Sequence, residues 1–175
     1  MGRNLIHEAS MKTINLTQVK YALVDDADYD WLMRWKWQAL KQPRATMEPH
    51  WVAIRGEGPR RAYRQLYMHR ELARRWGWPN SPQLDHQDRN GLNNQRENLR
   101  PASQSQQLMN TAKRGRCRSS FKGVHWCKRT KSWRARITVL RTRLSLGYFH
   151  LEEAAARAYD VAAYIHFGEF ARTNF

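Results

Sequence analysis

The stretch LDHQDRNGLNNQRENLRP, residues 84–101, carries the side chains best suited to chemistry. Asp85 and His86 are adjacent, and Asn98 follows His86 twelve residues later. An imidazole exchanges protons near neutral pH, and a carboxylate binds a hard cation such as Mg²⁺. Phosphodiester hydrolysis needs both a base that deprotonates water and a cation that neutralises charge on the phosphate. These residue types therefore indicate phosphodiester chemistry, whereas a plain surface turn is the simpler alternative.

The remaining polar residues of this stretch predict a loop between two strands. Asn90, Gly91, Asn93 and Asn94 are common in turns, and an Asn-Gly pair favours left-handed backbone. We therefore expect these four residues to build the connection and to leave the chemistry to Asp85, His86 and Asn98.

The motif resembles that of a known nuclease family. The pattern D-H-x-D-x-N-x-x-N-N-x-x-x-N-L-R, preceded by YMHREL and followed by SQSQQLMN, is similar to the HNH homing endonucleases. The earlier segment INLTQVKYALVDDADYDWLMRWKW also resembles the region that precedes the motif in many phage members. The resemblance implies a ββα-metal core at about residues 82–111, Mg²⁺ or Mn²⁺ as cofactor, and double-stranded DNA as substrate.

The resemblance also implies roles for single residues. His86 would be the general base, Asp85 a metal ligand, and Asn98 the residue whose side-chain carbonyl accepts a hydrogen bond from the imidazole. The family places a second metal-ligating Asn on the following helix, where this chain has Gln107, and Asn110 lies three residues further on. The second ligand is thus Gln107 or Asn110. His69, in the sequence MHR, is expected to be structural or to contact phosphate.

The charge of the chain predicts a polyanionic partner. Its 31 Lys and Arg against 15 Asp and Glu give a net charge of +16, and no acidic residue occurs between Glu97 and Glu152. This balance favours nucleic acid. A membrane surface is the alternative, but the chain has no long apolar run and no signal-like leader. With just two cysteines, we expect a soluble protein of a reducing compartment, the cytoplasm of a bacterial host if the origin is a phage, and no protein partner is evident.

We predict an α+β fold in two domains: a nuclease domain at 1–111, a basic linker at 112–119, and a second domain at 120–175. In the first domain the pattern predicts a strand, a turn or helix start near Asp28 and further strands, with HWVAIRG as a strand and AYRQLYMHREL as a strand entering a short helix. Trp31, Trp35 and Trp37 stand among apolar residues and are expected in the core.

The second domain has the clearest secondary-structure pattern. SWRARITVL and TRLSLGYF alternate between polar and apolar residues, which is typical of half-buried strands, and SFKGVHWCKR supplies a third. In LEEAAARAYDVAAYIHFGEF, small residues recur at helical spacing. The pattern predicts a three-stranded antiparallel sheet packed on one C-terminal helix, with the other face of the sheet basic.

Residues 120–175 resemble the Apetala-two, or ethylene-response-factor, DNA-binding domain through FKGVHW, WRARI, LSLGYFHLEEAAARAYDVAA and FGEFARTNF. In that family the sheet enters the major groove. Carried over by position, the DNA-reading residues would be Lys122, His125, Arg136, Thr138, Arg143 and Ser145, with Trp126, Lys128, Arg129, Arg134 and Arg141 nearby. Cys127 and Ser145 depart from the plant pattern, so the plant target sequence does not transfer.

Together these features predict a metal-dependent HNH endonuclease that its C-terminal sheet positions on duplex DNA. The main alternative is a sequence-specific DNA-binding protein whose nuclease site is inactive. A third class, an RNA-binding or packaging protein that uses its charge without sequence preference, predicts equal affinity for scrambled sequences.

Overall fold

The computed structural model describes residues 10–43, 49–78, 83–111 and 118–175. The chain is mixed α and β, and the described residues form two compact units. The first unit ends at Ser103 and the second begins at Gln104. This division places 104–111 with the C-terminal residues instead of with the expected domain 1–111. Most of the expected linker, residues 112–117, lies outside the described residues.

In its described residues, the first unit contains two small sheets, two α-helices and a separate hairpin. Its elements are β1 (Met11–Asn15), β2 (Tyr21–Asp25), α1 (Asp26–Leu32), β3 (Gln38–Gln42), β4 (His50–Glu57), β5 (Arg64–Tyr67), α2 (Met68–Arg75), β6 (Leu84–His86) and β7 (Leu99–Pro101). Strands β1 and β2 pair antiparallel, and β3, β4 and β5 form an antiparallel sheet in that order. The predicted helix start near Asp28 and the passage from strand to helix at Tyr67 are both confirmed.

An apolar core with tryptophans along its edge holds the first unit together. Leu32, Met68 and Leu72 are fully buried in it. Trp37 is buried as well, and Trp31 and Trp35 pack against the core while half-buried. The expectation that the three tryptophans belong to the core is confirmed. Burying such large side chains removes much apolar surface from water and stabilises this part of the unit.

Strands β6 and β7 form a two-stranded antiparallel hairpin joined by residues 87–98. The backbone of this connection pairs with the edge of β2: Leu23 N–H donates to Leu92 O at 2.8 Å, and Asn94 N–H donates to Leu23 O at 2.8 Å. Arg96 N–H donates to the carboxylate of Asp25 at 2.8 Å. The N-terminal hairpin therefore fixes the polar loop.

The second unit is a three-stranded sheet on a helix, as predicted. Its elements are α3 (Gln104–Met109), β8 (Val124–Cys127), β9 (Ser132–Val139), β10 (Thr142–Phe149) and α4 (Glu152–Phe167). The strands are antiparallel in the order β10-β9-β8. No helix among the residues described has the length and apolar content needed to cross a membrane.

Small residues let α4 approach the sheet closely. Ala155, Ala156 and Ala163 are fully buried against the sheet's apolar face. Gly123 has a positive φ of 77°, and a Cβ there would overlap the ring of Tyr159. Glycine is thus required at this position for its backbone conformation and for space.

Candidate functional site

Asp85 and His86 lie on β6, and both are buried, with 9% and 8% of their surface exposed. Asp85 faces Arg100 across the hairpin. Arg100 donates Nε and Nη2 to the same oxygen, Oδ2, at 3.1 and 2.9 Å. The carboxylate is therefore oriented by a permanent cation in a site largely shielded from water.

The donor set fits a hard divalent cation through Asp85. The Asp85 carboxylate, which accepts from Arg100 at Oδ2, is the type of ligand that a hard cation prefers. Mg²⁺ usually takes one or two carboxylates and keeps several waters. Within the described parts of the chain, no group of three or more His, Cys, Asp or Glu could hold a metal. One carboxylate with amide and water oxygens is a ligand set that would suit Mg²⁺ or Mn²⁺ and not zinc.

The loop after His86 is organised by Asp88. Asp88 Oδ1 accepts the Asn90 N–H at 2.8 Å and the Asn98 Nδ2 at 3.0 Å, and Oδ2 accepts the Asn93 Nδ2 at 2.9 Å. Asn98 Nδ2 also donates to Asn93 O at 2.8 Å. One carboxylate thus joins three asparagines, so the asparagines form an internal hydrogen-bond network and not a simple surface turn.

We expected a hydrogen bond from the His86 imidazole to the Asn98 side chain. Among the described residues, Asn98 does not make this bond. Asn98 Oδ1 accepts the backbone N–H of Asp88 at 3.0 Å instead. The Asn98 backbone carbonyl accepts the N–H of Gln87 at 2.9 Å. Asn98 therefore holds the residues that directly follow His86, and any effect it has on the imidazole passes through the backbone.

The expectation of left-handed backbone at the Asn-Gly pair is wrong. The residue of this loop with positive φ is Arg89, at 67°. Gly91 is needed for space: a Cβ would overlap the backbone oxygen of Trp51 and would lie 2.8 Å from Cε1 of His50. The loop packs so tightly on the start of β4 that no side chain fits at position 91.

His69 lies beside His86 in the first turn of α2. The two rings meet edge to face, with centroids 5.3 Å apart and an interplanar angle of 82°. His69 Nδ1 is buried and has no hydrogen-bond partner among the described residues. Burial lowers the pKa of His69 to about 3, and electrostatic interactions with His86, Arg70 and His50 add to the shift. His69 is therefore neutral at pH 7 and presents an uncharged ring to His86.

Gln107 and Asn110, the two alternatives for the second metal ligand, belong to the second unit. Gln107 lies in α3 and is half-buried. Asn110 follows the end of the helix, is buried, and its N–H donates to Gln106 O at 3.2 Å. Helix α3 is fixed within its own unit because Lys122 Nζ donates to Met109 O at 2.6 Å and Met109 packs on the apolar core.

The outer face of the β8–β10 sheet gathers most of the expected DNA-reading residues. The strand register places Arg134 between His125 and Tyr148, Arg136 opposite Ser145, and Thr138 opposite Arg143. All of these side chains are half-buried or exposed. Lys128 and Arg129 are exposed in the turn between β8 and β9. Regular alternation along the strands is what brings these residues to one face.

The arginines of this face have no anionic partner. Arg134, Arg136 and Arg143 form no ion pair with any described residue, and the guanidinium of Arg134 lies over the Tyr148 ring, 5.5 Å from its centroid. Burial lowers the pKa of Arg136, with the like charges of Arg143 and Arg134 adding to the effect. An arginine stays charged despite such a shift. The face is therefore a cluster of mutually repelling cations that an anion would stabilise.

Two residues that were expected at or near the DNA, Trp126 and Lys122, do not belong to this row of side chains. Trp126 pairs with Trp133 in the register, on the opposite side of the sheet from His125, and the two rings meet at 5.0 Å. Lys122 precedes β8, and its ammonium donates to Met109 O. The assignment by resemblance did not take into account that side chains alternate along the strand, which turns Trp126 away from this face. It also could not foresee α3, to which the Lys122 side chain bonds.

Sequence reasoning missed three residues of the first unit. Asp88 and Arg100 are part of the quoted motif, and the charge of Arg100 opposite Asp85 in a hairpin was the available signal. His50 gave no signal, because it lies on a strand far from the motif in sequence and approaches the loop only through folding. No protein-family model matches the sequence.

Proposed function

We propose that the chain is a metal-dependent, HNH-type endonuclease that hydrolyses phosphodiester bonds of double-stranded DNA, targeted by its C-terminal sheet. The observation that carries the proposal is the adjacent buried pair of Asp85 and His86, which Arg100 and the Asp88 network hold at the end of β6. A carboxylate and an imidazole held in this way are the groups that the reaction requires.

In the proposed reaction His86 accepts the proton of the water whose oxygen attacks phosphorus. The P–O bond to the leaving oxygen breaks as the new P–O bond forms. A divalent cation held by Asp85 and an amide oxygen would neutralise the charge that develops on the phosphate and the leaving oxygen. Neutral His69 packs against the His86 ring without adding a charge that would oppose its protonation.

The basic face of the second unit supports DNA as the substrate. Arg134, Arg136 and Arg143 have no carboxylate partner among the described residues, so binding a phosphate backbone would relieve their mutual repulsion. Arginine also makes the commonest specific contact with a base edge, to guanine in the major groove. The exposed Thr138 and Ser145 can serve as further hydrogen-bonding groups on this face.

One observation favours the second candidate, a DNA-binding protein with an inactive nuclease site. Asp85 already has a permanent cationic partner in Arg100, at two donor atoms. If this guanidinium takes the place of a metal ion, the hairpin is a structural element and the basic sheet is the functional part of the protein.

Cleavage of supercoiled plasmid by the full chain separates the two candidates. We expect nicked or linear product with Mg²⁺ or Mn²⁺ and none with EDTA. His86→Ala should abolish cleavage and leave DNA affinity within a few fold, because one imidazole is a small part of a large cationic interface. His166→Ala, at a histidine in the last turn of α4, is the matched control and should cleave normally. Binding without any metal-dependent cleavage would establish the second candidate instead.

A further inference from the structure

A cavity of about 810 Å³ opens in the second unit beside the edge of β9. One wall is α3, with Gln104, Ser105 and Leu108, and another is formed by residues of β9 and β10. Tyr159 and Phe167 of α4 form its apolar lining. Its volume lies within the range of pockets that hold small ligands, roughly 300–1,000 Å³.

The charged groups around the cavity are all cationic. Lys122, Arg136, Arg141 and Arg143 line it, and no Asp or Glu occurs among the described lining residues. Arg136 and Arg143 have no ion-pair partner among the described residues. Burial lowers the pKa of Arg136, and the nearby positive charge of Arg143 lowers it further. A phosphate group would supply the missing counter-charge.

The wall formed by β9 offers backbone hydrogen bonds next to apolar surface. Pairing with β8 stops at Val124 opposite Ala135, and Arg136 N–H then donates to Gly123 O at 3.0 Å. Alternate residues of a strand point their backbone groups to the same side, so the N–H and C=O of Thr138 face the region beyond the end of β8. This edge can read the donor and acceptor groups of a planar heterocycle.

We propose that the cavity is a subsite for a single unpaired nucleotide, with its phosphate at Arg136 and Arg143 and its base between Leu108 and the edge of β9. The ligand combines a phosphate with a planar, partly apolar base that carries hydrogen-bonding groups, and each part meets a matching wall. The subsite would let the chain distinguish DNA with an extruded or unpaired base from a continuous duplex. This inference rests on the DNA binding proposed above and is independent of cleavage.

The test measures binding of the full chain in EDTA, by fluorescence anisotropy, to three labelled duplexes of equal length. One is fully paired, one carries a single bulged adenosine, and one carries a bulged abasic nucleotide that matches the bend but lacks the base. We expect the bulged adenosine to bind about tenfold more tightly than the other two, a difference of about 1.4 kcal/mol. Competition with free deoxyadenosine monophosphate tests whether the cavity also binds a nucleotide that is not part of DNA.

Two variants locate the effect. Leu108 lines the cavity and is 52% exposed, so Leu108→Trp should fill the cavity and remove the preference for the bulged base without unfolding the unit. Val161→Trp adds the same ring at a 61% exposed position on α4 and should keep the preference. Equal binding of the bulged adenosine and the abasic bulge, or an unchanged preference in Leu108→Trp, would overturn the subsite. Weak binding to all three duplexes would instead refute the proposed DNA binding itself.

Discussion

Arg100 and Asp85 form a two-donor ion pair across the β6–β7 hairpin, with Nε and Nη2 at 3.1 and 2.9 Å from Oδ2. Their side chains are 9% and 11% exposed. Both charges have thus lost most of their water, and the ion pair compensates part of that loss. The pair holds in place the strand that carries His86.

Removing one member of this pair should destabilise the protein strongly. Arg100→Met leaves the Asp85 carboxylate buried without its cation, and we expect a loss of about 3–5 kcal/mol in the free energy of unfolding. The double variant Asp85→Leu with Arg100→Met should recover most of it, because both charges are then gone. Urea unfolding of the three proteins measures the difference. Equal stability of Arg100→Met and the wild type would show that Asp85 is compensated elsewhere.

The sequence predicted the elements better than the contacts within the motif. Strict alternation in SWRARITVL was sufficient to predict β9 and its basic face, because side chains of a strand alternate by geometry alone. The roles of Asn98 and Gly91 depended on which atoms the folded loop brings together. Asn98 Oδ1 bonds the Asp88 N–H, and Gly91 is required by Trp51 and His50, which lie on another strand. No local pattern encodes such a contact.

The partner of Asp28 was also beyond prediction. Asp28 was expected at a turn or helix start, and the structure shows in addition that it is buried and accepts Arg75 Nε and Trp76 Nε1, each at 2.8 Å. Its partners come 47 and 48 residues later in the chain. Periodicity can indicate that a residue lies on a helix, but the neighbour that the helix meets is set by the tertiary fold.

His69 should make the stability of the protein depend on pH below neutrality. The unfolded histidine takes a proton near pH 6.5, whereas burial and electrostatic interactions with His86, Arg70 and His50 lower the folded pKa to about 3. As the pH falls from 6.5 towards 3, the unfolded chain gains a proton that the folded chain does not. Stability is therefore present above pH 6.5 and falls by up to about 1.4 kcal/mol for each pH unit below it.

The variant His69→Phe isolates this effect from other histidines. Phenylalanine keeps an aromatic ring against His86 and cannot be protonated. Urea unfolding at pH 7 and pH 5 should show a smaller loss of stability for His69→Phe than for the wild type. If both proteins lose the same amount, His69 is accessible to protons in the folded state.

We predict that the arginines on the basic face of the sheet set the salt dependence of DNA binding. Each phosphate contact contributes about 0.9 to the slope of log affinity against log salt concentration. Arg143→Ala and Arg134→Ala should therefore each lower the slope by about one. Lys128→Ala in the exposed turn should do the same if the turn reaches the DNA backbone. Lys41→Ala on β3 removes an equal charge from the first unit and is the control. Anisotropy titrations measure the slope between about 50 and 200 mM salt, a range in which DNA affinity changes strongly. A slope unchanged by either arginine variant would place the DNA on another surface.

The last prediction concerns Gln107, which is one methylene longer than the Asn that the HNH resemblance implies at a metal-ligating position. Its amide oxygen can bind a cation, but Mg²⁺ tolerates little departure from octahedral geometry at about 2.0–2.1 Å. On a fixed helix the extra carbon must shift the ion or force a poorer rotamer. We therefore expect weak cleavage in Mg²⁺ and better cleavage in the larger Mn²⁺, and Gln107→Asn should raise the rate in Mg²⁺. Single-turnover cleavage of one duplex by both proteins in each metal measures this. An unchanged or lower Mg²⁺ rate would mean that Gln107 is already well placed or is not a ligand, and Asn110→Ala would then test whether the buried Asn110 supplies the second oxygen.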